Sequence, residues 1–367
     1  MADNKSSFCG LCLILLVLSA NNTSLGRGQE DAFAPEGSQR RRELVPAMFI
    51  FGDSLIDNGN NNNLPSFAKA NYLPYGIDFN GGPTGRFSNG YTMVDTIGTR
   101  IAWTTTNSAY SEASGDQMRY GVNYASAAAG ILDITGRNFV SRIPFNQQIK
   151  NFEDTLDQIT DSLGAPDVAQ ALAKCIFFVG MGSNDYLNNY LMPNYDTKYQ
   201  YNAQQYADLL VQQYSQQLTE ICDSRAGTNG LHSKHPCSEQ HGICSEEVNQ
   251  LVLPFNTNTK AMINNLSANL PGARFSYIDI RNMFRDLLAN AGSYGFSVLN
   301  RGCCGIGRNR GQITCLPFQT PCPERNQYIF WDAFHPTEAV NVLFGQKAFH
   351  GNTEVVYPIN IEQLANL

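Results

Sequence analysis

Ala47-Met48-Phe49-Ile50-Phe51-Gly52-Asp53-Ser54 begins with five apolar residues unbroken by a polar one and turns polar only after a glycine. A strand with one wet face alternates apolar and polar side chains. An unbroken apolar run fits a strand buried on both faces. Cys175-Ile176-Phe177-Phe178-Val179 has the same form and ends at Gly180. Arg274-Phe275-Ser276-Tyr277-Ile278-Asp279-Ile280 is a third strand candidate, and Tyr120 to Tyr124 is a weaker fourth. Helix-like patterning lies between them near 91–101, 145–162, 201–220 and 245–270, the last ended by Pro271-Gly272. Strands separated by helices predict an α/β fold of three layers, a central parallel sheet flanked by helices on both sides. Ligands of such sheets bind beyond the carboxyl ends of the strands. The polar residues after each run are therefore the place to look for chemistry.

The chain has 367 residues, of which 43% are hydrophobic, enough to bury a large core. No Pro/Ser-rich linker divides its middle, so residues 45–367 read as one domain behind a polar linker at 25–44. A formal net charge of −7 argues against nucleic acid and anionic membrane surfaces as partners, since phosphate contacts need a basic face. The one basic run, Arg40-Arg41-Arg42, falls in the linker and reads as solvated. Before it, Lys5, an apolar run from Phe8 to Leu18, and small Ser19 and Ala20 have the grammar of a secretory signal peptide, here residues 1–24. Eleven apolar residues are too few for a bilayer that needs about 20. No later stretch is apolar enough to span, which predicts a secreted, extracellular protein without integral membrane association.

Ten cysteines suit an oxidising compartment. Cys9 and Cys12 leave with the signal peptide, and the spacings of the rest form no paired C-x-x-C knuckles of the kind that bind zinc. Cys303, Cys304, Cys315 and Cys322 lie among Gly, Pro and Thr, where disulfides would staple a loop, and three pairings are open to them. Cys175 reads as a buried thiol. Asn265-Leu266-Ser267 is an acceptor sequence for N-glycosylation.

Four stretches carry groups suited to acyl transfer. Gly52-Asp53-Ser54 puts a hydroxyl directly after a buried strand, where rigid backbone would aim it at a cleft. It is not a Gly-x-Ser-x-Gly elbow, which removes the main support for an α/β-hydrolase fold. Near the C-terminus, Asp332-Ala333-Phe334-His335-Pro336 offers a base and a carboxylate to orient it, both on one turn. Pro336 disfavours helix at His335 and suits the first position of a helix with Glu338 in its first turn. Gly180-Met181-Gly182-Ser183-Asn184-Asp185 brings a side-chain amide to another strand end, and Asn123-Tyr124-Ala125-Ser126-Ala127-Ala128-Ala129-Gly130 allows close backbone approach. Amide and backbone N–H groups are the donors an oxyanion needs. Each string alone is an ordinary turn or cap; the order of all four carries the information.

That order, Ser, small-Gly, Asn, then Asp-x-x-His, resembles the GDSL family of esterases and lipases, also called SGNH hydrolases, over roughly residues 46–350. The Asn-rich tail after Ser54, Arg301-Gly302-Cys303-Cys304-Gly305 and Phe330-Trp331-Asp332-Ala333-Phe334-His335-Pro336-Thr337-Glu338 are similar to its plant branch. The resemblance implies an SGNH, flavodoxin-like architecture. It implies Ser54 as nucleophile and oxyanion donor, and Asp332 and His335 as acid and base. It assigns Gly130 and Asn184 to the oxyanion hole, with the backbone of Ala128 as an alternative to Gly130. The implied substrates are acyl, lipid or acetyl esters, with no cofactor and no metal. Phe67, Tyr72, Tyr75, Phe79, Tyr186 and Tyr190, in loops beside the cleft, would either shape an acyl pocket or pack the loops.

One segment departs from the family. After the helix at 201–220 the family has a further, Val-rich strand, whereas residues 221–244 here contain no run of four apolar residues and hold His232, His235 and His241. These histidines with Cys237 follow no tight zinc pattern. A shifted frame or altered splice accounts for the segment better, since the match resumes at Ser245-Glu246-Glu247-Val248-Asn249. The expectation is a gap in the sheet and, as the alternative to an active esterase, a catalytically weakened or silent secreted binding protein.

Overall fold

The computed structural model describes residues 14–20, 44–101, 107–226, 246–270 and 272–367. Its strands are β1 (Ile14–Ala20), β2 (Met48–Gly52), β3 (Ser108–Ala109), β4 (Val122–Asn123), β5 (Ile176–Met181), β6 (Ala273–Asp279), β7 (Val298–Gly302), β8 (Tyr328–Phe330) and β9 (Val356–Tyr357). The helices that cover them are α1 (Met93–Arg100), α2 (Phe145–Leu163), α3 (Ala165–Leu172), α4 (Ser183–Asp185), α5 (Thr197–Gln200), α6 (Ala203–Ala226), α7 (Glu246–Asn269), α8 (Ile280–Ala289), α9 (Glu338–His350) and α10 (Ile361–Ala365).

Seven strands form one sheet in the order β3-β4-β2-β5-β1-β6-β9, while β7 and β8 pair separately. β3, β4, β2 and β5 run parallel, with β2 and β5 in register from Met48↔Ile176 to Gly52↔Gly180. The two apolar runs behave as their composition predicts. Phe49, Phe51, Phe177 and Val179 enter one buried cluster with residues of α2, α6 and α7. Met48, Ile50, Ile176 and Phe178 enter a second with residues of α1, α8 and α9. Every side chain of these strands is thus inside, and each buried Phe contributes about 1.5–3 kcal/mol relative to exposure.

Beyond β5 the sheet departs from expectation. Among the described residues no strand stands between α6, which continues as helix to Ala226, and α7; residues 227–245, with His232, His235, Cys237, His241 and Cys244, lie outside the described residues. The gap predicted there is not left open. β1 occupies it, antiparallel to both neighbours, pairing Ile14↔Met181 to Leu18↔Phe177 on one side and Ile14↔Asp279 to Ala20↔Ala273 on the other. A segment with the composition of a leader's apolar run therefore supplies the backbone groups that β5 and β6 need.

The four clustered cysteines form nested disulfides, Cys303–Cys322 and Cys304–Cys315, which stabilise loops of this size by about 3 kcal/mol each. The Cys175 thiol is buried and donates to the Ala171 carbonyl at 3.3 Å. Asn265 is exposed on α7. Among the described residues no helix is long and apolar enough to cross a membrane.

Candidate active site

The site lies at the carboxyl ends of β2 and β5. β2 delivers the chain into a turn in which the Asp53 carbonyl accepts from the N–H groups of Ile56 (3.2 Å) and Asp57 (2.9 Å), while the Asp53 carboxylate accepts from Leu55 N at 3.0 Å. Ser54 stands at the head of this turn, half-buried. Gln148 of α2 clamps the strand end: its amide accepts from Gly52 N and donates to Gly52 O, both at 2.9 Å.

Opposite, β8 leads into the loop that carries Asp332 and His335. Asp332 organises it by accepting from the backbone N–H groups of Phe334 and His335, both at 2.9 Å, and Trp331 N donates to the His335 carbonyl at 2.8 Å. His335 Nδ1 lies 2.8 Å from Asp332 Oδ1 and 2.9 Å from Oδ2, and Nε2 lies 2.9 Å from Ser54 Oγ across 281 positions of sequence. The three residues form one hydrogen-bonded chain. The following helix starts at Glu338 with Thr337 at its cap, so Pro336 precedes the cap instead of filling the first helical position. The loop returns through Thr337 N to the Ile329 carbonyl, and this return sets where the helix starts.

Burial pushes the Asp332 carboxyl up, but His335 beside it and the hydrogen bonds from His335, Tyr75 and the Phe334 backbone outweigh that and hold it below the ordinary carboxylate value. It remains an anion suited to fixing the imidazole tautomer. Three other buried aspartates go the other way. Burial raises Asp53, Asp57 and Asp185 to about 6 each, despite the hydrogen bonds they accept.

These three carboxylates brace the loops around the serine. Asp53 accepts from Ser183 Oγ at 2.7 Å, tying the end of β2 to that of β5. Asp57 accepts from Gly59, Asn60 and Ala127 N–H groups at 2.8–2.9 Å. Asp185 accepts from Ile131 N (2.8 Å), Leu132 N (3.1 Å) and Thr135 Oγ1 (2.6 Å). Gly130 abuts this last carboxylate so closely that an added Cβ would come within 2.6 Å of an Asp185 oxygen. Asn184, buried on α4, donates through Nδ2 to the Ala129 carbonyl at 2.9 Å, and its second amide proton is uncommitted among the described residues. Ala128 has φ of +66°, and the N–H groups on either side of it are engaged, Ala127 N with Asp57 and Ala129 N with the Ser126 carbonyl.

The Asn-rich tail after Ser54 is a buried loop whose side chains are committed. Asn60 Nδ2 donates to the carbonyls of Asn123 and Ala125, both at 2.8 Å, and Asn61 Nδ2 to those of Ala68 (3.0 Å) and Ala127 (3.1 Å). Its position directly after the serine, together with short side chains able to satisfy backbone groups, was the available signal. Of the cleft aromatics, Tyr186 and Tyr190 pack in the core with Tyr206, Phe67 is 80% exposed, and Tyr75 touches the site itself.

A parallel α/β sheet with Ser, His and Asp in one hydrogen-bonded chain beyond its strand ends is the constellation of a serine hydrolase. Comparison with known proteins gives the family. The pattern described as "GDSL-like Lipase/Acylhydrolase" matches residues 48–348. The chain is 62% identical over 333 residues to "GDSL esterase/lipase At1g71691" of Arabidopsis thaliana, covering 88% of this chain and 86% of that one. It is 46% identical over 337 residues to "GDSL esterase/lipase At4g18970" (88% and 93% covered) and 43% identical over 376 residues to "GDSL esterase/lipase At1g33811" (98% and 100% covered), both from the same plant. The chain belongs to the GDSL lipase/acylhydrolase family, a family of ester hydrolases.

Proposed function

We propose that the protein is a secreted serine hydrolase that cleaves acyl, lipid or acetyl esters through an acyl-enzyme. The observation that supports this best is the continuous chain from Ser54 Oγ through His335 to Asp332, at 2.9 Å and 2.8 Å. His335 Nε2 takes the Ser54 proton as Oγ attacks the ester carbonyl. The same proton goes to the departing alcohol when the C–O bond breaks. Water, deprotonated by His335, then attacks the acyl carbon and releases the acid with Ser54 restored. Negative charge on the carbonyl oxygen would be met by the Ser54 N–H, by a backbone N–H of the Ala128–Gly130 run, and by the second proton of Asn184 Nδ2. Losing one such donor costs about 3–4 kcal/mol of barrier. Residues 1–24 would direct the chain out of the cell, to apoplast or cell wall, and exposed Asn265 would be open to glycosylation there.

Hydrolysis of a short-chain p-nitrophenyl ester by the full chain, with Ser54→Ala prepared in parallel, tests this. Turnover abolished in a folded Ser54→Ala protein supports the assignment. A folded wild type no faster than Ser54→Ala overturns it in favour of an ester-binding protein that has lost turnover.

A further inference from the structure

We infer that Tyr75 is a positioning residue of this site, holding the acid of the triad from outside its own loop; the inference rests on the triad reading above. Asp332 is fully buried, and both its oxygens have work. Oδ1 accepts from Phe334 N, His335 N and His335 Nδ1, all within the same turn. Oδ2 shares His335 Nδ1 and accepts the phenol proton of Tyr75 at 2.6 Å, a partner 257 residues away in sequence. Without that donor, one oxygen of a buried carboxylate would face only the imidazole.

The Tyr75 ring is itself fully buried and held edge-on by Tyr72 (centroids 5.5 Å), Phe87 (5.8 Å) and Trp331 (6.3 Å), and Phe87 lies 4.9 Å from the His335 ring. The next residue, Gly76, has φ of +66°, and a Cβ there would strike the Gly82 carbonyl at 2.2 Å, so the backbone admits one course past Tyr75. Tyr72 Oη donates to the Cys315 carbonyl at 2.9 Å, and Cys303 N donates to the Phe330 carbonyl at 3.0 Å. The tyrosine and the aspartate loop are thus fastened to the same disulfide-stapled segment. Burial, then the Asp332 charge, keeps the Tyr75 phenol far above its ordinary value, so it stays a donor across the working pH range. The charged or titratable groups facing this pair are His335 on the aspartate's own turn, Tyr72 beside Tyr75, and Asp53 across from His335.

A phenol proton on Oδ2 draws off part of the negative charge that stabilises the imidazolium. Removing it leaves more of that charge on the imidazole, so the base holds its proton to higher pH while the carboxylate loses its fixed orientation. The test is Tyr75→Phe in the full chain, with Ser54→Ala alongside, read as kcat, KM and the acid limb of kcat/KM against pH. The expected result is kcat down about 10-fold, KM within about twofold, and an acid limb moved to higher pH. Incorporation of 3,5-difluorotyrosine at position 75, which keeps the ring packing and makes the phenol a stronger donor, should move the limb to lower pH, and decides the matter if Tyr75→Phe does not fold. If Ser54→Ala loses turnover while neither change at position 75 moves the acid limb, the tyrosine is packing only and the inference falls by itself. If Ser54→Ala keeps wild-type turnover, the triad reading falls and this inference with it.

Discussion

The sheet is closed in two different ways on the two sides of β5. Toward β2 it is a parallel seam, five residue pairs in register, with every side chain of both strands buried. Toward β6 it is closed by β1, drawn from the N-terminus and running antiparallel to both neighbours. The β2 seam ends at the Ser54–His335–Asp332 chain and reads directly from composition. The β6 side shows that backbone hydrogen bonds accept any extended segment: two strand edges flanking one vacant position lie about 9–10 Å apart, and a strand of either direction satisfies them. Side chains in the core discriminate among sequences; ladder hydrogen bonds do not.

The sharpest way to probe the β2 side is its serine. Ser54→Ala should lower turnover by roughly 10⁵-fold or more while leaving the urea midpoint unchanged, because among the described residues the hydroxyl's one partner is His335. A comparable loss of stability would mean that Ser54 is part of the scaffold and that site and seam cannot be separated.

The β6 side is probed by deleting residues 1–24, which removes β1. Each backbone group left unsatisfied costs about 1–3 kcal/mol, and several together approach the 5–15 kcal/mol that holds a whole domain. The truncated chain should therefore unfold at much lower urea or aggregate. Replacing residues 227–244 with a Val-rich strand should make the deletion tolerable, since a native occupant would then fill the position. A truncated chain as stable as the full one would show that β1 contributes nothing to the fold. Secretion sharpens the issue, because the leader proposed for export and the strand that closes the sheet share residues 14–20. N-terminal sequencing of the exported, folded protein shows which demand prevails.

A smaller effect is expected inside the seam. Phe49 is fully buried against Phe152 and Phe177, with centroids at 5.3 and 5.4 Å, so Phe49→Ala should cost about 3–5 kcal/mol in urea unfolding without abolishing turnover. The last is a pH effect centred on the strand ends. Asp53, Asp57 and Asp185 keep their protons in the folded protein up to about pH 6, whereas the unfolded chain releases them near the ordinary carboxylate value. Between those values the folded state binds more protons, so stability falls as pH rises from about 4 to 6 and levels off above. Glu338, raised by burial, has the same sign. Asp332, held low, contributes stability that is lost only as pH falls below about 4. Thermal unfolding should therefore show a higher midpoint at pH 5 than at pH 7, and Asp185→Asn should shallow that slope.

Much of this was legible in the sequence. Unbroken apolar runs ending in Gly52 and Gly180 marked strands buried on both faces, because only a doubly covered sheet tolerates such runs. The residues just past them, with Asp332 and His335 on a turn before a helix, were singled out by type and order, and the fold brings Ser54, His335 and Asp332 within hydrogen-bond distance. Other features were not legible, because they depend on partners far apart in the chain. Tyr75 reaches Asp332, Gln148 grips Gly52, and asparagines after Ser54 hold the Ala-rich run, none of which has a periodic signature. The pairing of the four cysteines and the choice of β1 for the place beside β5 were likewise settled by proximity in the fold. Composition and period determine which segments must be buried and which residues stand at their ends. Which distant groups then satisfy the same buried carboxylate or strand edge is a matter of three-dimensional fit, and only the tertiary structure decides it.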